Sequence, residues 1–169
     1  MKVLGLKGSP KRESSDTMHI TRAFLKGMAS AAPLEAKILH VADLHIQPCS
    51  GCFACWRNGG TCVHRDDMAG VLEKIQASDV LLVSYPLYCY GMPGPLKTLI
   101  DRILPLTAMT MRKVGERYEH DSRADTAHRY CQELCANTTA SLMKLVRRRP
   151  NRPRACSAWL PVSGPPVVR

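Results

Sequence analysis

The stretch GSPKRESSDT, near the N-terminus, contains side chains of the kinds that bind anions. It carries four hydroxyl groups and two cations, on Ser9, Ser14, Ser15, Thr17, Lys11 and Arg12. Hydroxyl and cationic side chains donate hydrogen bonds to phosphate oxygens, and the bonds from cations are the stronger ones. An amphipathic pattern begins directly after them, and the first turn of a helix adds free N–H groups and a favourable dipole. These features together predict a phosphate-binding loop.

The spacing of the glycines narrows the identity of the phosphate ligand. No Gly-Lys-Ser/Thr sequence follows Gly8 at the Walker A spacing, and Gly5 and Gly8 are separated by two residues where the dinucleotide fingerprint has one. A phosphate held by hydroxyls instead of glycines suits a mononucleotide such as FMN. From this stretch alone, the alternative is a first strand and a capped helix that bind no ligand.

Eight cysteines are many for a chain without a secretory signal, and four are spaced Cys-x2-Cys-x2-Cys-x6-Cys, at Cys49, Cys52, Cys55 and Cys62. Such clustering indicates metal or redox chemistry in place of a disulfide framework. Four thiolates can hold an iron–sulfur cluster or a zinc ion, although the two separate Cys-x2-Cys pairs usual for zinc are absent. A loop without metal is the third alternative, and all three stay open. We interpret the scattered cysteines as structural or incidental, namely Cys89, Cys131, Cys135 and Cys156.

A second candidate loop, Pro86–Gly94, follows the most hydrophobic run in the chain, DVLLVS at 79–84. Tyr88, Tyr90 and Met92 lie in it beside turn-forming glycines and prolines. Such a loop can present an apolar wall and backbone amides to a flat ring. The alternative is an ordinary strand-to-helix loop with surface tyrosines.

Strands and helices alternate along the first part of the chain and must position both loops. Apolar periodicity predicts strands at 2–6, 36–41 and 79–84, helices at about 15–32, 66–77 and 95–104, and a cysteine-rich loop at 48–64. A spacing of roughly 30 residues is typical of βαβ units, which predicts an α/β fold with a parallel sheet. Ligands of such sheets bind beyond the carboxyl ends of the strands, where strand order reverses. Both candidate loops lie at such ends.

Four motifs, in order along residues 1 to about 119, together resemble the NAD(P)H-dependent FMN reductases. They are GSPKR from Gly8, CSGCFACW from Cys49, Cys62 followed by DDM from Asp66, and PLYCYGMP from Pro86 with LK and LIDR after it. Within that family they look most like the iron–sulfur flavoprotein branch. The resemblance implies a flavodoxin-like, doubly wound parallel sheet, FMN as a bound cofactor and NAD(P)H as the hydride donor.

The resemblance also implies roles for individual residues. The FMN phosphate would be held by Ser9, Lys11, Ser15, Asp16 and Thr17. The isoalloxazine ring would be flanked by Pro86, Leu87, Tyr88, Tyr90, Gly91 and Met92. The four clustered cysteines resemble the compact motif of the iron–sulfur flavoproteins, which implies a possible 4Fe–4S cluster. No side chain stands out as a catalytic acid or base, because the flavin carries the chemistry.

Composition and charge restrict the class of protein and its partners. Hydrophobic residues make up 45% and charged residues 22% of the chain, as is ordinary for a globular protein. No apolar run is long enough to span a membrane, so we expect a cytoplasmic protein without a membrane partner. Seven basic and no acidic residues follow Glu133, which leaves only +3 of the net charge of +10 on the first 133 residues. Since no aromatic motif accompanies this basic end, we predict no nucleic-acid partner.

The resemblance fades past His120, where further strands of a flavodoxin-like sheet would follow. We predict a flavodoxin-like FMN-binding domain at 1–120, incomplete with three strands. An atypical basic tail at 121–169 would form a helix at about 124–149 and then an irregular segment rich in Pro and Arg. Disorder, a species-specific tail or a reading-frame change would each produce this shift in composition. The edge of strand 79–84 would then be open, and the predicted helix, a second subunit or aggregation would cover it. Because proteins of the family that the chain resembles often look like dimers or higher oligomers, we predict a homo-oligomer.

From these features we predict a flavin-dependent oxidoreductase that uses NAD(P)H to reduce bound FMN. Its electron acceptor would be a small molecule or a redox protein. Two other functions stay open. One is an electron-transfer protein in which FMN exchanges electrons with a cluster on the four cysteines, and the other is a truncated, non-catalytic remnant.

Overall fold

The computed structural model describes residues 1–123 and the backbone of residues 141–147. The elements, in chain order, are β1 (Lys2–Lys7), α1 (Asp16–Ala31), β2 (Glu35–His40), α2 (Ala54–Arg57), α3 (Met68–Ala77), β3 (Val80–Pro86), α4 (Gly94–Asp101), β4 (Thr107–Val114), β5 (Arg117–Ser122) and β6 (Ser141–Arg147). Short 3₁₀ turns lie at Arg12–Ser14, Val41–Asp43 and Leu104–Leu106. Within the described residues, no helix has the length and apolar character needed to cross a membrane.

Three parallel strands form the main part of the sheet, in the order β2-β1-β3. β1 lies between the other two, and its residues Val3, Leu4 and Leu6 are all buried, as expected for a parallel strand covered on both faces. β3 is buried along almost its whole length. The chain moves from β1 to one side for β2 and to the other side for β3, so strand order reverses between β1 and β3.

Helices cover both faces of this sheet. On one face Val3, Val80 and Leu82 pack against α1, through Ile20, Phe24, Leu25 and Met28. On the other face Leu4, Leu6, Leu81 and Val83 share one core with side chains of α3 and α4, namely Met68, Val71, Ile75, Leu96 and Leu99. Burial of each such side chain contributes roughly 1.5–3 kcal/mol, and the sheet is therefore held from both sides, as in a doubly wound fold.

The predicted α/β class and its three parallel strands are confirmed. The three strands and the helices α1, α3 and α4 correspond to the predicted elements, with bounds that mostly differ by one to three residues. α3 begins only at Met68, whose N–H donates to the Asp66 carboxylate, and Asp66 and Asp67 also accept backbone N–H groups of Gln47 and His45. α4 ends at Asp101, three residues before the predicted end, and the chain continues into the 3₁₀ turn Leu104–Leu106.

The predicted helix at about 124–149 is wrong for residues 141–147, which form the strand β6. β6 runs antiparallel to β3, with Arg147 opposite Val80 and Ser141 opposite Pro86. The free edge of β3 explains the difference, since its unpaired N–H and C=O groups favour pairing with a further strand. The main sheet thus has the order β2-β1-β3-β6. The rest of the predicted helix and the Pro/Arg-rich segment lie outside the described residues.

The pairing with β6 removes the structural reason for expecting an oligomer. The edge of β3 that should have been uncovered is paired from Val80 to Pro86. The homo-oligomer stays a prediction that rests on the family resemblance alone.

The hairpin of β4 and β5 is an element that the sequence did not predict. It forms a separate two-stranded antiparallel sheet. Its turn places Gly115 at φ 64° between Val114 and Arg117, and glycine at the first turn position is typical of type II′ hairpins. The hairpin is mostly exposed, so its sequence lacks the apolar run by which the other strands were found.

Candidate functional site

The loop Gly8–Thr17, which we call the phosphate loop, is pressed against the end of β3. The Gly8 N–H donates to the carbonyl oxygen of Ser84 at 2.8 Å. A Cβ atom on Gly8 would lie 2.8 Å from Leu96 Cδ2 and 2.9 Å from Tyr85 Cβ. The position therefore requires glycine, because the loop approaches both β3 and the first turn of α4 too closely for a side chain.

Three hydroxyl residues of the phosphate loop are buried, each with 3% of its surface exposed, namely Ser9, Ser15 and Thr17. The Thr17 hydroxyl donates to Ser15 Oγ at 3.3 Å, and Ser15 Oγ donates to the carbonyl oxygen of Arg12 at 2.7 Å. Ser9 Oγ accepts the N–H of Lys11 at 3.3 Å. The polar interior of the loop is thus built from short side chains that can turn toward a ligand.

The first turn of α1 is left without a side-chain cap. Ser15 occupies the N-cap position, but its hydroxyl bonds the backbone before the helix and not a helix amide. The side chains of Lys11 and Asp16 are exposed. Arg12 has a positive φ of 51° and forms an ion pair with Asp43, which ties the loop to the turn after β2. An anion at this point would meet unused N–H groups and the positive end of the helix dipole.

A buried cation lies under the phosphate loop, and the sequence analysis missed it. Lys7, the last residue of β1, has 1% of its surface exposed. Its Nζ donates to Thr17 Oγ1 and, at 3.3 Å, to Ser84 Oγ, and Ser84 Oγ also accepts the Thr21 hydroxyl at 2.8 Å. Burial lowers the pKa of Lys7 to about 8, although the negative charge of Glu13 partly opposes that shift. The sequence feature that could have indicated this buried cation is a lysine at the end of an apolar strand, directly before Gly8.

The loop Pro86–Gly94, which we call the tyrosine loop, is a tight turn with unusual backbone angles. Tyr88 and Gly91 exchange two backbone hydrogen bonds of 2.9 Å. Between them Cys89 and Tyr90 have φ values of 47° and 63°, the left-handed conformation that normally favours Gly, Asn or Asp in such turns. Tyr90 is fully exposed at 103%, and Tyr88 is 48% exposed.

The other predicted ring-binding residues lie around this turn. Leu87 is exposed, whereas Pro86, Gly91 and Met92 are half-buried, and Met92 packs against the main core. The packing of Gly8 on Tyr85 and Leu96 places the phosphate loop beside the base of the tyrosine loop. The structure therefore brings the two predicted groups of FMN-binding residues to adjoining ends of β1 and β3.

The four clustered cysteines differ in their surroundings. Cys49 and Cys52 are exposed, Cys62 is half-buried and Cys55, in α2, is buried. The backbone N–H of Ala54 and the Ser50 hydroxyl lower the pKa of Cys52. Burial raises the pKa of Cys55, and the nearby charges of the other three cysteines raise it further.

These cysteines do not form a ready-made metal site. Among residues 1–123, no three His, Cys, Asp or Glu side chains stand in a group that could hold a metal ion. The raised pKa of the buried Cys55 thiol also disfavours its ionisation, whereas a cysteine must be a thiolate to bind a metal. The assignment of Cys49, Cys52, Cys55 and Cys62 to a cluster stays a prediction.

A buried ion pair, also missed from the sequence, holds the cysteine-rich loop in place. Arg102 Nη1 lies 2.9 Å from Asp66 Oδ2, Nη2 lies 3.1 Å from Oδ1, and both side chains are at most 2% exposed. Arg102 also donates to the carbonyl oxygen of Gln47 at 2.6 Å. Burial raises the pKa of Asp66, but hydrogen bonds from Arg102 and from the N–H groups of Gln47 and Met68 outweigh it, so the pKa lies below its usual value.

Two adjoining loops at the switch point between β1 and β3, one rich in hydroxyls and one in aromatic residues, are the arrangement by which doubly wound domains bind a mononucleotide. The class that this arrangement indicates, a doubly wound domain that binds a mononucleotide, agrees with the comparison of the chain with known families. The model of the NADPH-dependent FMN reductases matches residues 1–115, and the chain belongs to that family.

Curated relatives have names of two kinds. An iron–sulfur flavoprotein of Methanocaldococcus jannaschii is 35% identical over 106 residues, covering 63% of this chain and 53% of its own. An iron–sulfur flavoprotein of Archaeoglobus fulgidus is 37% identical over 103 residues, which cover 60% of this chain and 48% of the relative. An FMN reductase (NADPH) of Pseudomonas aeruginosa is 29% identical over 102 residues, which cover 60% of this chain and 50% of the relative. The chain thus spans about half the length of the curated relatives it matches.

A solved structure supports the fold. An FMN-dependent NADH-azoreductase from Bacillus anthracis superposes with a TM-score of 0.50 at 17% identity, covering 65% of this chain and 60% of that one. This likeness concerns the fold alone, and it confirms the predicted flavodoxin-like sheet.

Proposed function

We propose that the chain binds FMN across the carboxyl ends of β1 and β3 and catalyses its reduction by NAD(P)H, with transfer of the electrons to a small acceptor. One observation carries this proposal. Three buried hydroxyls surround a helix start that has no side-chain cap, and an aromatic loop adjoins them. Bound FMN would supply the redox chemistry, since its ring accepts a hydride and releases electrons.

The donor set of the phosphate loop fits a phosphate. The hydroxyl protons of Ser15 and Thr17 are held only by the loop backbone and by each other, and Ser9 Oγ accepts the N–H of Lys11. Thr17 Oγ1 also accepts from Lys7, which leaves its own proton available, so each hydroxyl can turn to donate to a phosphate oxygen. Lys11 adds an exposed positive charge. Asp16 contributes through its backbone N–H at the first helical position and not through its carboxylate, which would repel the phosphate.

The tyrosine loop would hold the flavin ring. Tyr88 and Tyr90 supply exposed aromatic faces, which pack well against a flat ring. The left-handed conformation of Cys89 and Tyr90 keeps Tyr90 away from the core. Strained residues of this kind are maintained at ligand sites because they place a side chain that relaxed backbone would not.

The alternative function, electron transfer between FMN and an iron–sulfur cluster, draws support from the cysteine spacing and from the names of the iron–sulfur flavoprotein relatives. It would require Cys55 to become ionised and accessible to a cluster, while Cys49 and Cys52 turn inward from the surface. Anaerobic reconstitution, followed by analysis for iron and acid-labile sulfide in wild type and in Cys52→Ser, tests this alternative separately.

Flavin binding and turnover provide the test of the main proposal. Protein freed of flavin is titrated with FMN while the quenching of flavin fluorescence is recorded, and oxidation of NADH and NADPH is followed with and without added FMN. We expect one FMN per chain and pyridine-nucleotide oxidation that depends on it. A folded protein that binds no FMN would show that the chain is a non-catalytic remnant.

A further inference from the structure

Lys7 is a buried cation for which the described residues provide no paired anion. Its ammonium group bonds only the hydroxyls of Thr17 and Ser84. A buried charge without a counter-charge is unfavourable, and the carboxylate of Glu13 acts on Lys7 only from a distance. The protein therefore keeps an uncompensated positive charge directly under the loop that would receive a phosphate.

The direction of the hydrogen bonds links this charge to the loop. An ammonium group can only donate, so Thr17 Oγ1 accepts from Lys7 and must direct its own proton elsewhere. In the structure that proton goes to Ser15 Oγ at 3.3 Å, and the Ser15 proton goes to the carbonyl oxygen of Arg12. Lys7 thus begins a chain of hydrogen bonds that runs through Thr17 and Ser15 to the backbone of the phosphate loop.

We propose that Lys7 is a positioning residue of the phosphate site, which directs the Thr17 hydroxyl at the phosphate and makes the site prefer phosphorylated flavin to riboflavin. The inference rests on the proposed function, because it takes Ser15 and Thr17 as the phosphate ligands. It adds a specificity determinant, since riboflavin has the same ring and no phosphate.

This arrangement makes the preference dependent on pH. With its pKa lowered by burial to about 8, Lys7 loses its proton in the free protein as the pH rises through that value, whereas a bound phosphate favours the charged form. FMN affinity should therefore fall above about pH 8, and riboflavin affinity should not. The charged group that acts on Lys7 is Glu13 in the 3₁₀ turn, and Glu13 itself contacts Arg22 of α1 and His40 of β2. His40 is the β2 residue paired with Lys7 in the sheet, and β3 contributes the uncharged Ser84.

The first experiment needs no change at Lys7. Dissociation constants of FMN and of riboflavin are measured by fluorescence quenching between pH 7 and pH 9.5. We expect the ratio of riboflavin to FMN dissociation constants to fall about tenfold per pH unit above pH 8, since one unit of pKa shift is a factor of ten. In Glu13→Gln the fall should begin at lower pH, because the Glu13 carboxylate raises the pKa of Lys7.

The second experiment removes the charge. Lys7→Met replaces the cation by an unbranched, uncharged side chain, and it should lower the preference for FMN at pH 7 at least tenfold and abolish its pH dependence. Lys2→Met is the matched control, because it removes the same charge from an exposed position of the same strand and should leave the ratio within twofold. If Lys7→Met does not fold, the role of Lys7 is tested by the pH dependence of the ratio of dissociation constants in the wild type and in Glu13→Gln.

The outcomes separate this inference from the proposed function. FMN binding whose preference over riboflavin does not change with pH, or survives in folded Lys7→Met, would overturn the role of Lys7 alone. A wild-type protein that binds neither flavin would overturn the proposed function and the inference with it.

Discussion

The phosphate loop and the tyrosine loop leave neighbouring strands at one edge of the sheet, yet they are built in opposite ways. The phosphate loop is closed around buried hydroxyls, and its Gly8 has no space for a side chain. The tyrosine loop is held by two backbone hydrogen bonds and exposes Tyr90 completely. The proposed phosphate end of the site is therefore formed before a ligand binds, whereas the proposed ring end presents aromatic surface that a ligand or another part of the protein would cover.

The largest effect should come from removing phosphate donors. Ser15→Ala combined with Thr17→Ala should weaken FMN binding by roughly 2–4 kcal/mol, at about 1–2 for each lost hydrogen bond to a charged group. Riboflavin affinity should stay the same. Ser14→Ala is the control, because that hydroxyl is exposed and bonds the carbonyl oxygen of Lys11. Unchanged FMN affinity in the double variant would contradict the assignment of the loop.

A smaller effect should distinguish the packing of the two loops. Gly8→Ala should lower the free energy of unfolding by about 1–3 kcal/mol, the usual cost of an extra methyl group in a close-packed site, and should also weaken FMN. In Gly94→Ala, in the tyrosine loop, the added Cβ would have no atom within 4 Å. This substitution should change the free energy of unfolding by less than about 0.5 kcal/mol. Urea denaturation of both variants measures the difference, and equal losses would show that the loops are packed alike.

The smallest effect concerns strain in the tyrosine loop. Tyr90→Gly should raise the free energy of unfolding by about 1 kcal/mol, because a left-handed conformation costs roughly that amount for residues other than glycine, while FMN affinity falls with loss of the ring. Cys89→Gly is matched to it, since Cys89 shares the turn and the conformation but carries no aromatic group. It should stabilise the protein and keep FMN affinity. Destabilisation in both variants would show that the turn is not strained.

The phosphate loop could be predicted from sequence because its parts are local. Ser9, Ser15 and Thr17 lie within nine residues of one another, directly before a helix whose apolar pattern is clear. The buried charges could not be predicted in the same way. Lys7 meets Ser84 across 77 residues of sequence, and Arg102 meets Asp66 across 36, so their burial depends on how the strands and loops come together.

The cysteine motif and the C-terminal strand show two further limits of sequence reasoning. Regular spacing of Cys49, Cys52, Cys55 and Cys62 does not determine where each sulfur points, and two are exposed while Cys55 is buried. The segment that contains β6 has apolar residues whose spacing also fits a helix. The open edge of β3 decides in favour of a strand, and a local pattern contains no information about a distant edge.

The pairing of β3 with β6 also has a consequence for the order of events during synthesis. β1, β2 and β3 can associate as soon as they leave the ribosome, but β6 follows only from residue 141. At roughly 5–20 residues per second, the chain between Pro86 and Ser141 takes about 3–11 seconds to make. During that interval the outer edge of β3 has no partner and is open to strands of neighbouring nascent chains. Slower translation after Pro86 would therefore lengthen the time for which this edge is exposed.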